Sequence, residues 1–193
     1  MNLWVKQRQV ALQFLLVGAV GFIAAFTTPI EFGLPGLFSA HALMRVSDFV
    51  PLILVAGLGH ATRQRFVELT ATRPVRYYDL LLYSVLIGVT YALLLLLEPH
   101  MQVEPEIIIR TTVAMLAIAH IVSRVVHVKG GLIAAALLPV LSGVAGVVHG
   151  YVQWWAVPLA DLNAIETNVF VCALVISALC VKPRVAFSAQ LTK

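Results

Sequence analysis

Long apolar runs separated by short polar segments set the layout of this chain. A helix needs about 20 mostly apolar residues to cross the hydrocarbon layer of a bilayer. Six stretches approach that length: Gln9 to Thr27, Leu43 to Ala61, Tyr78 to Leu97, Ile107 to Val126, Gly131 to Tyr151 and Thr167 to Val181. The second is the most compromised, because its uninterrupted apolar core runs only from Phe49 to Gly59. Its outer turn must carry Arg45 and Asp48, which share a helix face at i, i+3 and are therefore placed to pair. These runs predict an all-α, polytopic membrane protein with six transmembrane helices, forming a single transmembrane domain over residues 1–193.

Composition points the same way. The 193 residues are 61% hydrophobic and 11% charged, where a soluble domain has about 25% charged residues. Such a chain cannot cover its surface with polar side chains, so lipid must solvate much of it. A soluble globular domain and a disordered chain are both excluded on this ground. The net charge of +4 comes from scattered Lys and Arg, not from a basic stripe, so no nucleic-acid partner is expected. The two cysteines, Cys172 and Cys180, lie eight residues apart, about 12 Å along one helix, and cannot join each other there. They read as small hydrophobes, and no Cys and His cluster has metal-binding spacing. Lys6 and Arg8 lead into the first apolar run as in a signal peptide, but Phe26, Thr27 and Thr28 offer no small-x-small cleavage pattern. The first run is expected to be a retained span.

Basic residues set the orientation, because cytoplasmic loops keep Lys and Arg. With the N-terminus inside, 11 of the 13 basic residues fall on the cytoplasmic side, all but Arg45 and Arg110. Most acids fall outside, with Glu68 and Asp79 the exceptions. Both termini are therefore expected in the cytoplasm and the protein in the cell membrane, in contact with its lipids. Between spans two and three the polar stretch Thr62 to Tyr77 is punctuated by Phe66, Leu69 and Val75, a spacing that predicts a short amphipathic helix ending at Pro74. The outer segments Thr28 to Ala42 and Val152 to Glu166 carry prolines and large apolar side chains. They are expected to lie in the interface or re-enter the bilayer, with Trp154 and Trp155 at headgroup level.

Several residues are candidates for chemistry. His60, His120 and His149 raise the question of haem ligation, but His149 and His60 stand at opposite ends of their spans, so only His60 and His120 are at comparable heights. Ser142 and Gly143 resemble the setting of an intramembrane serine nucleophile, yet span six holds no histidine to act as base. Gly143, Gly146 and Gly150 instead suit close packing of helices. Intramembrane charge is costly and marks function or pairing. Arg110, in the outer first turn of span four, is expected either to snorkel to Glu104 and Glu106 or to line an outward-facing transport path with Arg45 and Asp48.

The stretch from Arg63 to Gly88, RQRFVELTATRPVRYYDLLLYSVLIG, resembles the segment between the second and third spans of ABC-2 type transporter permeases. The matching positions are Arg65, Glu68, Leu69, Thr72, Pro74 and Arg76, followed by the apolar run Leu80 to Gly88, while Tyr83 and Ser84 stand where the family often has Gly-Lys. The resemblance implies a non-catalytic permease subunit of an exporter, acting as a homodimer or beside a second small permease. It also implies a cytoplasmic coupling helix made by Arg65, Phe66, Glu68, Leu69, Arg73, Pro74 and Arg76, docked on a separate ABC ATPase subunit. The chain has no Gly-rich phosphate loop of Walker type, so ATP and Mg belong to that partner and no cofactor is expected here. The competing readings are the substrate-binding subunit of an energy-coupling-factor importer, and a membrane redox, haem or protease-like enzyme.

Overall fold

The computed structural model describes residues 10–27, 31–33, 43–61, 75–101, 104–126, 128–148 and 151–181. In chain order it contains α1 (Val10–Thr27), a small antiparallel pair β1 (Glu31–Gly33) and β2 (Leu43–Arg45), a 3-10 turn (Val46–Phe49) and α2 (Val50–Ala61). Then come α3 (Val75–Leu97), a second 3-10 turn (Glu98–His100), α4 (Pro105–Val125), α5 (Val128–Ala145), the pair β3 (Val147–Val148) and β4 (Tyr151–Val152), and α6 (Ile165–Cys180). The described residues are thus mostly helical, as the apolar runs predict.

Prolines explain several helix starts. Pro105 opens α4 and Pro51 is the second residue of α2, positions where the missing N–H would be unpaired anyway and the fixed φ suits a helix. The structure departs from expectation at two spans. Leu43 to Arg45 is extended and Val46–Phe49 is a 3-10 turn, so α2 has 12 residues, about 18 Å long and too short to cross a bilayer alone. Glu31 pairs with Arg45 in the ladder, committing the chain before Val46 to extended backbone. The fifth span ends at Ala145 instead of Tyr151, where Val148 opposite Tyr151 closes a hairpin. Its β-branched valines suit extended backbone better than a helix. Two helical stretches, Leu81–His100 and Pro105–Val125, are long and apolar enough to cross a membrane.

α4 occupies the centre, touching α2, α3, α5 and α6. One apolar cluster joins Val17 and Val20 of α1, Leu54 of α2, Leu82 and Leu86 of α3 and Ile108 of α4. A second joins Val55 of α2, Ala114 and Met115 of α4, Ala135 and Leu138 of α5 and Val171 of α6. At the α4–α5 hairpin a Cβ on Gly131 would collide with the carbonyl oxygen of Ala119 and lie 3.0 Å from Ser123. Glycine there lets the two backbones approach closely.

Beside the apolar core, several polar side chains are buried while many large apolar ones are exposed. Gln13, Thr90, Thr111, Thr112, Ser142 and Thr167 are buried. Leu15, Phe22, Leu96, Ile133, Val169 and Leu179 are exposed. The hydroxyls of Thr90 and Thr112 are satisfied by the carbonyls of Leu86 and Ile108 one turn earlier.

Candidate functional site

The segment Gln153 to Ala164 folds back against the end of the bundle. Its turns are held by backbone bonds from Ala156 to Gln153, Leu159 to Ala156 and Ala164 to Asp161, and Gln153 donates to the carbonyl of Gly146 at 2.7 Å. Ala156, Val157, Pro158 and Ala160 are buried. A Cβ on Gly146 would collide with the carbonyl oxygen of Ser142 and stand only 2.7 Å from the Cβ of Ala156, so glycine here serves both the turn that follows α5 and the close approach of this segment. Trp154 meets Phe170 of α6 edge to face, with centroids 4.9 Å apart. Buried backbone of this kind is admissible in an apolar bundle only if its carbonyls find donors.

Arg110 supplies them. From the second turn of α4 its Nη1 donates to Asp161 O at 2.8 Å and to Asn168 Oδ1 at 3.3 Å. Its Nη2 donates to Val157 O at 3.1 Å and to Ala160 O. The planar guanidinium presents several donors in fixed directions and so can gather several carbonyls at once, which lysine cannot. Asn168, on the first turn of α6, completes the arrangement by donating Nδ2 to Leu162 O at 2.8 Å. Two hydroxyls near this end, Thr111 Oγ1 and Ser142 Oγ, are buried without a hydrogen-bond partner among the described residues.

Beside Arg110 lies Glu106, which accepts a hydrogen bond at 2.9 Å from the hydroxyl of Tyr91 on α3. Together Tyr91, Glu106, Ile109, Arg110, Leu162 and Asn168 line an open pocket of about 350 Å³. Glu106 and Arg110 are four residues apart in the order that favours an ion pair on a helix. Yet their hydrogen bonds go to Tyr91 and to the folded-back segment, and no ion pair joins them. The snorkelling of Arg110 to Glu104 and Glu106 is therefore not what the structure contains: carbonyls take its donors instead.

Of the expected transport-path residues, Arg110 stands at this pocket. Asp48 is half-buried in the 3-10 turn, which packs against α1, α4 and α5. Arg45 lies in β2, and its side chain is outside the described structure. Of the expected coupling residues, Arg65, Phe66, Glu68, Leu69, Arg73 and Pro74 lie outside the described residues, and Arg76 falls in the first turn of α3 with its side chain likewise outside. Cys172 and Cys180 are free and exposed on α6. Among the described residues, no three of His, Cys, Asp and Glu stand where they could hold a metal ion. Sequence reading missed Tyr91 and Asn168, which meet α4 and the folded-back segment only through tertiary packing. The one local signal was the four-residue spacing of Glu106 and Arg110. No known protein family, curated protein or solved structure matches the chain.

Proposed function

We propose that the chain is the membrane-embedded permease subunit of an ABC-type exporter, multi-pass in the cell membrane with both ends cytoplasmic. Its six apolar helices, including the short α2, form the transmembrane domain, and a separate ATPase holds ATP and Mg. The observation that carries the membrane part is the apolar surface: many large apolar side chains are exposed, with a few threonines, Ser142 and Gln13 buried among the helices. The permease part is supported by the likeness around Arg63 to Gly88, by α3 starting at Val75 directly after Pro74, and by a charged pocket at the end of the central helix that the cation distribution assigns to the outside. In this reading Arg45, Asp48 and Arg110 belong to the transport path, and residues 65–76 dock on the ATPase.

Purification from the native host in mild detergent tests the coupling. An ATPase chain should come with the protein, and Glu68→Lys should reduce that recovery, because a reversed charge repels the partner's matching group. Absence of any ATPase removes the permease reading and leaves the membrane reading standing. Orientation is tested separately in a Cys172→Ser, Cys180→Ser background. Thr72→Cys and Thr192→Cys should react with an impermeant thiol reagent only from the cytoplasmic side, and Gln102→Cys only from outside.

A further inference from the structure

The charged pocket does not end at Asn168. That residue also heads an apolar groove of about 480 Å³ on the outer face of α6, lined by Ile165, Val169, Cys172, Ala173 and Ile176. The spacing from Ile165 to Ile176 puts the groove along one helix face for about 16 Å. Ile165, Val169 and Ile176 are exposed over 76%, 62% and 61% of their surfaces, so this groove is open along its length.

At the head of the groove stand two opposite charges, Glu106 and Arg110, whose hydrogen bonds go to other groups and not to each other. Glu106 is held by Tyr91 and Arg110 by carbonyls and an amide, all neutral groups. Asp161 offers Arg110 its carbonyl, and its exposed carboxylate acts on the guanidinium through space. Glu106 and Arg110, one helical turn apart on α4, thus line one pocket, and an apolar groove leads away from it. The matching ligand has an ammonium, an anion a short spacer away, and a long apolar tail.

We infer that pocket and groove form a single site for a phospholipid with a zwitterionic ethanolamine-phosphate headgroup. The ammonium meets the Glu106 carboxylate. The phosphate meets Arg110, where one of its oxygens replaces Asn168 Oδ1, the exposed acceptor at 3.3 Å, with a charged one. One acyl chain lies along the α6 groove. A headgroup that is only anionic leaves Glu106 facing a phosphate, which is repulsive. The site rests on the helices being embedded in lipid, and it does not depend on coupling to an ATPase.

The full chain, purified into detergent and exchanged into nanodiscs of equal phosphatidylethanolamine and phosphatidylglycerol, is analysed by native mass spectrometry for retained lipid. Phosphatidylethanolamine should be retained about two- to fivefold over phosphatidylglycerol, the range an exposed charge pair supplies. Glu106→Gln, whose side-chain carbonyl still accepts from Tyr91, should bring the two lipids to parity. Val169→Trp, filling the groove on an exposed face, should remove retained lipid of both kinds. Equal retention by the wild type, or an unchanged preference in Glu106→Gln, overturns the proposal. Soluble phosphoethanolamine competing as well as the lipid does so too, because the groove would then contribute nothing. Carbonate extraction of the same membranes reports embedding independently, so a lost preference in a fully embedded protein counts against the lipid site alone.

Discussion

α3 and α4 are the two longest helices, and they use apolar surface in opposite ways. α3 is the more apolar, yet only 22% of its spanning stretch is buried, against 39% for α4. Leu81, Val85, Val89, Leu95 and Leu96 of α3 are exposed, while Thr111, Thr112, Ala114 and Ala117 of α4 are buried. In water the more apolar helix would take the centre. Where lipid is the solvent, apolar side chains gain nothing by facing other helices, and the centre goes to the helix whose small and hydroxyl-bearing residues allow close approach. α4 also carries Arg110, whose guanidinium holds the folded-back segment, so its position serves both packing and the polar end.

The largest expected difference between the two helices is at Arg110. Arg110→Leu removes the donors to Val157 O and Ala160 O in a segment whose side chains are buried. Two orphaned carbonyls cost about 3 to 5 kcal/mol together, and the segment 153–164 should become cleavable by protease in detergent while α3 stays protected. Arg110→Lys should recover only part of the loss, because a single ammonium cannot reach acceptors spread across a fork. Protease protection equal to wild type in Arg110→Leu would mean that the segment is held by Trp154 and Phe170 and not by the guanidinium.

Next comes the exposed face of α3. Val89→Arg places a charge at the middle of that helix on its exposed side and should disfavour insertion by about 2.5 to 3.5 kcal/mol. On a water-facing helix the same change would stay within about 0.5 kcal/mol. A translocon insertion assay on the segment containing α3 separates the two. An insertion fraction unchanged by the arginine would end the reading of α3 as a lipid-facing span.

The contrast also explains what could be read from the sequence. The helical class and the places of α1, α3, α4 and α6 were legible, because long apolar runs bounded by Pro74, Pro105 and polar loops leave few alternatives. The starts of α3 and α4 lie two or three residues earlier than the apolar runs, since charged residues such as Arg76 and Glu106 sit in the first turns without ending them. The non-helical starts of the second run and ends of the fifth were not legible. Leu43 and Met44, and Val147, Val148, Tyr151 and Val152, are apolar enough for a span, and only pairing with Glu31–Gly33 and within the β3–β4 pair makes them extended. The charge on Arg110 was visible, but its acceptors were not, because backbone carbonyls carry no sequence signature.

Glycine gives a smaller and cleaner test. Gly88 of α3 has open space where a Cβ would go, and Gly131 of α5 faces the backbone of α4. Gly88→Ala should therefore stabilise by up to about 1 kcal/mol through helix propensity. Gly131→Ala should destabilise by about 1 to 3 kcal/mol by forcing α4 and α5 apart. Thermal unfolding in one detergent gives both shifts, and shifts of the same sign would remove the difference between a peripheral and a central surface.

The smallest expected effect is at the tie between the two helices. Tyr91 reaches from α3 to Glu106 of α4 with a 2.9 Å hydrogen bond at a partly buried position. Tyr91→Phe keeps the ring and its apolar packing and leaves no orphaned donor on α3. Glu106 lines an open pocket, so solvent or headgroups can replace the lost hydroxyl, and the loss should be no more than about 0.5 to 1.5 kcal/mol. A double-mutant cycle with Glu106→Ala isolates the bond itself, since each single change removes one partner. Coupling of about 0.5 kcal/mol or more would show that α3, for all its exposed apolar surface, is tied to the central helix by a polar contact at the pocket. Additive effects would mean that α3 is held by its buried leucines alone, and that Tyr91 serves to keep the Glu106 carboxylate turned away from Arg110. That second role makes its own forecast. With the hydroxyl gone, Glu106 becomes free to pair with Arg110 at i, i+4, and the preference for an ethanolamine headgroup should fall even though stability hardly changes.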